Sequence, residues 1–404
     1  MPDRVPDPEA CGSRALPRRL VLLWRSYLPY HVARLRAAQQ AFAAAGCEVL
    51  GLQATADPAG YEFLAAGQAT RALRTALPGK RLADCTRDEV FAKTLAALRD
   101  LQPDVVFGPA TPFPEGMAAI RYRNESAARV FLMDDSWEAT DARGRAVATI
   151  KRLIHQCADG AFVPAAWYGR YFAALGIPEE RLTYPVDVVD NDWFARPAAP
   201  EGGGGHRAPR GRFLFVGRDL PRKGLGHLLE AYQRYRQTTG NPWDLEIVGP
   251  PVGASPSGDG VVFTGPLTGP SLRERYWAAS VLVVPSDWEQ WGLVVNEGMA
   301  ASLPVIASSG VGAARSLVVE DSTGWTFPAG DRAALSQRLA TASASSSAVL
   351  IEMGARARER VDALCSLGQF VSGMHRALRM PRRNDATPAA RIAARMWRGR
   401  LAVY

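Results

Sequence analysis

The chain has few of the residues that build metal centres and disulfide frameworks. It contains five cysteines and five histidines, and both sets are dispersed along the sequence. The cysteines are Cys11, Cys47, Cys85, Cys157 and Cys365, and the histidines are His31, His155, His206, His227 and His375. Structural zinc sites and disulfide-rich domains need close, repeated spacings such as Cys-x-x-Cys, which this sequence lacks. We therefore expect reduced thiols and no metal.

Long apolar runs are also missing. The longest, such as Leu20–Trp24 and Val281–Pro285, are as short as a strand, whereas a membrane-spanning helix needs about 20 apolar residues. The first twenty residues lack the apolar centre of a secretory signal, so we expect a cytoplasmic protein. The net charge of +8 predicts an anionic partner. Nucleic acid is not indicated, because no helix-turn-helix, zinc finger or aromatic-rich basic run is present.

What the sequence does contain is an alternation of short apolar strands and amphipathic helices in both halves. Its 404 residues are enough for two domains. Continuous apolar strands are typical of parallel sheets covered on both faces. The sequence therefore predicts an α/β protein with two doubly wound, Rossmann-like domains facing a cleft. We expect an N-terminal domain over residues 18–190, a C-terminal domain over 191–365 with a flexible Gly- and Pro-rich loop at 196–211, and a C-terminal helix and basic tail over 366–404.

Ten apolar segments are the predicted strands. They are Leu20–Trp24, Glu48–Leu52, Val105–Gly108, Arg129–Met133, Ala161–Pro164, Phe213–Val216, Leu245–Val248, Val261–Thr264, Val281–Pro285 and Val305–Ser308. Helices are predicted between them, for example over His31–Ala45 and Glu89–Leu101. Asp88 is the expected N-cap of the second of these helices, and Pro103 ends it.

Two cations follow the first strand of the second half. Arg218 comes directly after Gly217 at the strand end, and Lys223 comes five residues later, where a helix begins. A helix N-terminus, a guanidinium and an ammonium together suit a diphosphate. The alternative is a pair of solvated surface side chains.

Two carboxylates follow the fourth strand of the same half, and seven residues separate them. Glu289 lies in the loop after the strand, and Glu297 lies about a turn into the next helix. Ligands bind at this edge of open α/β sheets. Glu297 suits a ribose diol and Glu289 suits sugar hydroxyls, while Gly292 allows the helix N-terminus to approach a phosphate closely. The alternative for either carboxylate is a place on an exposed helix face.

These segments resemble a known family over about residues 212–340. In order they read FLFVGRDLPRKGLGHLLEAY, LEIVG, VVFTGPL, VLVVPSDWEQWGLVVNEGMAASLPVIAS, GVGAARSLV and GWTFPAGD. This series resembles the retaining GT-B-fold glycosyltransferases with the Glu-x7-Glu motif. The resemblance implies a hexose-type sugar donated by a nucleotide-diphosphate sugar, retained anomeric configuration, and no metal or other cofactor. The departing phosphate would help to deprotonate the acceptor hydroxyl, so no enzyme nucleophile is needed.

The resemblance also assigns residues on the donor side. It implies that Arg218 and Lys223 bind the donor diphosphate, that Glu297 binds the ribose and that Glu289 binds the transferred sugar. It further implies that Leu267 lies beside the base through its backbone. The remaining donor-side residues that it implies are Gly217, Gly292 and Leu293.

The first half departs from the family pattern on the acceptor side. Trp24–His31 replaces the common Gly-Gly turn after the first strand, and Asp134 and Asp135 follow the strand region after which the family often has a histidine. His31, Asp134 and Asp135 are therefore the acceptor-side candidates. The alternatives are a polar helix start for His31 and a helix cap for the aspartates. The expected acceptor is a lipid-linked saccharide, a polysaccharide or a natural product.

Other patterns point elsewhere and are weaker. Asp190-Asn191-Asp192 matches the Asp-x-Asp of metal-dependent glycosyltransferases, but its place at the domain junction favours a turn. Gly310–Gly312 lacks the third glycine of a dinucleotide fingerprint and favours a turn beside the donor site. Two other functions stay open, namely a GT-B-fold sugar-nucleotide epimerase and a non-catalytic sugar-nucleotide-binding protein.

The C-terminal tail is strongly basic. Between His375 and Arg400 one acid, Asp385, accompanies eight arginines, at positions 376, 379, 382, 383, 391, 395, 398 and 400. A helix within 389–404 would place Ile392, Met396 and Val403 on one face, with Trp397 beside it. This pattern indicates peripheral contact with an anionic membrane surface, and a disordered solubilising tail is the alternative.

Overall fold

The computed structural model describes residues 16–57, 72–141, 144–197, 211–251 and 259–401. Within these ranges the chain forms two parallel β-sheets, one in each half. Helices lie between most of the successive strands, and parallel strands need such crossover connections. The predicted fold of two doubly wound, Rossmann-like domains is confirmed. The predicted flexible loop lies mostly outside the described residues, at positions 198–210.

The first sheet has seven strands in the described residues and the order β3-β2-β1-β4-β5-β6-β7. The strands are β1 (Arg19–Trp24), β2 (Glu48–Gln53), β3 (Leu73–Thr75), β4 (Val105–Pro109), β5 (Arg129–Met133), β6 (Gly160–Phe162) and β7 (Leu182–Thr183). Its helices are α1 (Pro29–Ala43), α2 (Arg87–Leu101), α3 (Pro114–Glu125), α4 (Arg145–His155) and α5 (Gly169–Ala174). The order reverses between β1 and β4, which places a crevice at the carboxyl ends of these strands.

The second sheet has six strands in the described residues and the order β10-β9-β8-β11-β12-β13. The strands are β8 (Arg212–Val216), β9 (Asp244–Val248), β10 (Val261–Gly265), β11 (Val281–Val284), β12 (Val305–Ser308) and β13 (Gly324–Phe327). Its helices are α6 (Asn191–Phe194), α7 (Leu225–Thr238), α8 (Gly269–Ala278), α9 (Leu293–Ala300), α10 (Gly312–Leu317), α11 (Arg332–Ala344) and α12 (Ser347–Leu364). Here the order reverses between β8 and β11.

The ten predicted strands are all present, and no end is shifted by more than two residues. Strands β3, β7 and β13 were not predicted, because β3 and β7 are only three and two residues long and β13 contains the polar Thr326. The predicted cap of α2 is wrong. The side chain of Thr86, rather than that of Asp88, accepts from the Glu89 amide at 3.1 Å, so the helix begins two residues earlier than predicted.

The two halves share buried apolar contacts. One continuous cluster of buried side chains joins β1, β4 and β5 of the first sheet to helices α9 and α10 of the second half. Burial of apolar surface stabilises this arrangement at about 25 cal/mol per Å². The cleft between the sheets therefore has a packed floor.

The C-terminal segment returns to the first half. Helix α13 (Leu367–Arg379) packs against α1, β6 and β7, and α14 (Pro388–Met396) packs against α3 and α4. The alternative of a disordered tail is therefore wrong through Leu401. The predicted helical face is also corrected: α14 ends at Met396, Ile392 and Met396 are exposed, and Val403 lies outside the described residues.

Several basic residues of this segment make structural contacts. The Arg383 backbone amide donates to Asp159 at 2.7 Å, and the Arg383 guanidinium donates to Asp385 and to the Gly176 carbonyl. Arg382 donates to two carbonyls at the end of α3, each at 2.8 Å. Part of the positive charge of the tail thus holds it against the first sheet. None of the helices in the described ranges is both long enough and apolar enough to cross a membrane.

Candidate functional site

A cavity of about 280 Å³ lies at the carboxyl edge of the second sheet. Its walls come from the loops after β8, β10 and β11 and from the first turns of α9. All eight donor-side residues predicted from the sequence line it: Gly217, Arg218, Lys223, Leu267, Glu289, Gly292, Leu293 and Glu297. The structure brings these residues together, while the role of each one stays a prediction.

Glu289 is the most enclosed charge of the cavity, with 6% of its surface exposed. Its carboxylate accepts from the Lys223 ammonium, from Arg222 at 3.0 Å and from the Ser286 hydroxyl at 2.9 Å. Burial alone would raise its pKa, but Lys223 and then Arg222 hold the pKa of Glu289 below its ordinary value. Glu289 is therefore a carboxylate at neutral pH, already surrounded by donors.

The Glu289 loop is held in place by the first half of the chain. The Trp137 indole donates to the Glu289 carbonyl at 3.0 Å, and the Tyr168 hydroxyl donates to the Gln290 carbonyl at 2.6 Å. On its other side the loop pairs with the Gly310–Gly312 turn, where the Glu289 amide donates to the Gly310 carbonyl at 2.9 Å. Sequence analysis missed both aromatic contacts, because residues more than 120 positions apart in sequence form them.

Glu297 faces the same cavity from helix α9. The helix begins directly after Gly292, whose φ of +101° is a left-handed conformation that favours glycine. The Tyr276 hydroxyl donates to the Glu297 carboxylate at 2.5 Å. Burial raises the pKa of Glu297 to about 7, so proton exchange at this carboxyl falls near neutral pH.

Arg222 is a cation of the cavity that sequence analysis did not select. It lies in a 3₁₀ turn with Lys223, and its guanidinium stacks on the Trp288 ring at 4.7 Å from the ring centre. It also contacts Glu289, as described above. Arg222 thus joins the two loops that follow β8 and β11.

A second, smaller cavity of about 220 Å³ lies on the first-half side of the cleft. All three predicted acceptor-side residues, His31, Asp134 and Asp135, line it. It borders the donor-side cavity, because Asp135, Gly292 and Leu293 line both. The structure therefore places the acceptor-side candidates next to the donor-side residues.

Asp134 and Asp135 have different surroundings. Asp134 is 3% exposed, pairs with the Lys151 ammonium at 3.3 Å and accepts from the Ser136 amide at 2.9 Å. Although burial opposes it, Lys151 lowers the pKa of Asp134. Burial, and then the charges of Asp187 and Asp134, raise the pKa of Asp135 well above its ordinary value. Asp135 is thus the aspartate that faces both cavities, and Asp134 is engaged in a buried ion pair.

His31 lines the second cavity and also supports the start of α1. Its Nδ1 accepts from the Leu28 amide at 3.1 Å, and its ring stacks on Trp24 with centroids 4.5 Å apart. Burial and then the Arg34 guanidinium lower the pKa of His31 well below its ordinary value. Arg34 itself pairs with Asp187 at 3.3 Å and donates to the Val188 carbonyl at 3.0 Å. His31 therefore lies in the cleft and also supports the start of the helix, so the two interpretations are compatible.

The sequence predicted a turn at Asp190-Asn191-Asp192, but the structure has the start of a short helix there. Asp190 accepts from the Trp193 amide at 3.1 Å and caps the short helix α6, while Asp192 pairs with Arg358 at 2.9 Å. In the part of the chain that the structure describes, no group of three or more His, Cys, Asp or Glu side chains is placed to hold a metal ion. Metal independence of the reaction stays a prediction.

Comparison with known proteins agrees with this geometry. Residues 210–344 match the model of the family described as "Glycosyl transferases group 1". The chain is 31% identical over 255 residues to a GDP-mannose-dependent alpha-mannosyltransferase of Mycobacterium tuberculosis. That match covers 59% of this chain and 64% of the relative, so the chain spans less than two thirds of the relative's length.

Solved structures extend the similarity in fold to both halves. Sucrose-phosphate synthase from Thermosynechococcus elongatus superposes with a TM-score of 0.66 at 22% identity, covering 90% of this chain and 98% of that one. Anabaena Alr3699/HepE in complex with UDP-glucose gives a TM-score of 0.66 at 14% identity, covering 89% and 99%. The chain therefore has the GT-B fold of two Rossmann-like domains.

Proposed function

We propose that this protein is a retaining glycosyltransferase that moves a hexose-type sugar from a nucleotide-diphosphate sugar to a hydroxyl acceptor. The observation that carries the proposal is the donor-side cavity itself. It places two carboxylates, Glu289 and Glu297, opposite Arg218 and Lys223 at the carboxyl edge of a doubly wound sheet. The family match over residues 210–344 supports the same assignment.

In this proposal each residue of the cavity has one task. Arg218 and Lys223 bind the diphosphate, with the N-terminus of α9 at Gly292 and Leu293 close to it. Glu297 accepts hydrogen bonds from the ribose, and the backbone at Gly217 and Leu267 lines the nucleotide. Glu289 binds hydroxyls of the transferred sugar. Because Lys223 contacts Glu289, the diphosphate and this carboxylate share one ammonium group.

The chemical step that we propose is a front-side displacement. The bond from the anomeric carbon to the diphosphate oxygen breaks, and a bond to the acceptor oxygen forms on the same face. The acceptor proton passes to the departing phosphate oxygen, so the products are a glycoside and a nucleoside diphosphate. Arg218 and Lys223 stabilise the charge that develops on the phosphate, which is the kind of term that contributes most to catalysis. No metal or cofactor takes part in the proposed step.

A donor panel tests the proposal. We expect UDP or GDP, and one of their hexose derivatives, to raise the melting temperature by mass action. We also expect slow donor hydrolysis without acceptor, which 1 mM EDTA leaves unchanged and which yields a sugar of retained anomeric configuration by NMR. Epimerised nucleotide sugar would indicate the epimerase, and binding without turnover would indicate the non-catalytic protein. An inverted anomer, or activity that EDTA abolishes and Mn²⁺ restores, would overturn the assignment.

We also propose peripheral contact of the tail with an anionic membrane surface on the cytoplasmic side. Ile392 and Met396 are 56% and 77% exposed on α14, next to the exposed Arg391 and Arg395. Each cation near such a surface contributes about 1 kcal/mol. Sedimentation with anionic vesicles at low salt is expected to pellet the full chain but not the double variant Ile392→Asp/Met396→Asp. If both stay in the supernatant, the tail is not a membrane contact.

A further inference from the structure

A third cavity, of about 360 Å³, is larger than the two cavities of the cleft described above. It lies on the first-half side, between the loop after β4, the loop after β5 and helix α4. The C-terminal residues Trp397 and Arg400 form one further wall. None of the donor-side or acceptor-side residues that were predicted from the sequence lines this third cavity.

The wall of this cavity is mainly apolar. Phe113 contributes from the β4 loop, Val147, Ile150 and Ile154 from one face of α4, and Trp288 and Trp397 from the other sides. The charged Lys151 at its floor is 4% exposed and is paired with Asp134. Binding sites for small molecules typically have a volume of this order and mainly apolar walls.

The C-terminal wall is fixed in position by backbone contacts. The Arg400 amide donates to the Pro112 carbonyl at 2.6 Å. Gly399 has a φ of +78°, and a Cβ built on it would lie 2.5 Å from the carbonyl carbon of Phe113, so only glycine allows this approach. Trp397 follows α14 directly and packs, partly buried, against the apolar cluster that joins the two halves. The tail thus holds its tryptophan over the cavity.

The cavity is next to the proposed site of transfer. Trp288 and Gln290 line it, and they flank Glu289 in the same loop. Gln290 also lines the donor-side cavity, so the two spaces adjoin at this residue. A molecule in the apolar cavity can therefore present a group towards the sugar held at Glu289.

We propose that this cavity holds the apolar ring portion of the acceptor, and that the acceptor is a small ring-bearing alcohol or phenol. This inference rests on the proposed glycosyl transfer. The aromatic side chains of Trp288 and Trp397 both line the cavity and offer apolar contact area to a ring system. Ser136 also lines the cavity and supplies a hydroxyl that orients the acceptor.

A cavity-filling variant tests the inference on the full chain. The probe is 4-methylumbelliferone, a bicyclic phenol whose binding is followed by tryptophan quenching and whose glycosylation removes its phenolate fluorescence. Val147→Trp fills the cavity from α4, and Thr149→Trp places the same side chain on the exposed side of that helix as a matched control. UDP and GDP thermal shifts are measured on all three proteins. Trp397→Ala, with Met396→Ala as its control, replaces Val147→Trp if that variant does not fold.

We expect Val147→Trp to weaken 4-methylumbelliferone binding by about tenfold or more, because the ring loses its apolar contact area. Thr149→Trp and the nucleotide thermal shifts should match wild type. Equal binding in wild type and Val147→Trp, or no binding at all beside a normal nucleotide shift, would overturn the inference. The inference would also be overturned if the enzyme glycosylated a polyprenyl phosphate but not 4-methylumbelliferone. Loss of the nucleotide shift in wild type would instead reject the proposed function, and with it the acceptor role of the cavity.

Discussion

The two sides of the cleft are built in different ways. The donor side takes nearly all its functional side chains from two short stretches, residues 217–223 and 286–297. The acceptor side assembles residues from α1, from the loop after β5 and from residues near Asp187, and the apolar cavity beside it adds the C-terminal Trp397. The donor side is thus formed by short segments with a fixed spacing, whereas the acceptor side is formed by long-range packing. A donor site of the first kind can keep its motif while the acceptor side varies.

Electrostatics separates the two sides as well. On the donor side Glu289 is surrounded by Arg222 and Lys223, which lower its pKa. On the acceptor side burial, and then the charges of Asp187 and Asp134, raise the pKa of Asp135. Glu289 is thus kept ionised between two cations, whereas the surroundings of Asp135 favour its protonated form. The predictions below test this contrast.

The largest effect is expected on the donor side. Glu297→Ala and Lys223→Ala should each lower kcat/KM for the donor by about two orders of magnitude or more, because a charge-assisted contact is worth ~2–4 kcal/mol. Circular dichroism and melting temperature should show that both variants fold. Glu359→Ala and Lys93→Ala, at exposed positions, are the controls. Wild-type kcat/KM in a folded Glu297→Ala or Lys223→Ala variant would contradict the donor assignment.

On the acceptor side, we expect Asp134 to have a structural role and Asp135 to face the substrate. Asp134→Asn leaves the buried Lys151 ammonium without its counter-charge, so it should cost about 3 kcal/mol of unfolding free energy. Asp135→Asn should leave stability unchanged or higher and change kcat/KM for the acceptor by about tenfold. Urea unfolding and acceptor kinetics measure the two effects. Unchanged donor and acceptor kinetics in both variants would remove any role of these aspartates in transfer.

A single hydrogen bond between the halves should have a smaller effect. Trp137→Phe keeps most of the ring but removes the donor to the Glu289 carbonyl, a contact worth about 1 kcal/mol. We expect kcat for transfer to fall by about fivefold while the Kd for UDP or GDP is unchanged, because the loop positions Glu289 and not the nucleotide. Trp277→Phe is the matched control, since its indole donates to the Phe194 carbonyl and Trp277 does not line the donor-side cavity. Equal losses in both variants would contradict a specific role for Trp137.

A further prediction concerns stability rather than turnover, and it is a pH dependence that arises from Glu297. Its folded pKa of about 7 lies above the unfolded value of about 4.3, so the folded state binds more protons between these values. The resulting stabilisation is full below about pH 4.3 and is lost as the pH rises through about 7. Glu297→Gln has no such carboxyl. The melting temperature of this variant minus that of wild type should therefore increase by a few degrees between pH 5 and pH 8. Parallel curves for the two proteins would show that burial does not perturb this carboxyl.

Much of the donor side could be predicted because its information is local. The spacing of Arg218 from Lys223 and of Glu289 from Glu297 follows from a strand, a turn and a helix in sequence, and the structure places all four side chains in one cavity. Arg222 was missed, because a second cation beside Lys223 has no distinctive spacing. Its role became visible only through its contacts with Glu289 and Trp288.

The sequence by itself determined the two doubly wound sheets and the donor-side constellation, because apolar periodicity and short-range spacing encode both. The tertiary structure alone decided which first-half residues pack around the cleft. It joined Trp137 to Glu289 and Arg34 to Asp187, and it brought Trp397 onto the loop after β4. Such contacts depend on how whole helices and sheets pack against one another. The same tail that the sequence presents as a basic segment is therefore, in the folded chain, one wall of the apolar cavity beside the Glu289 loop.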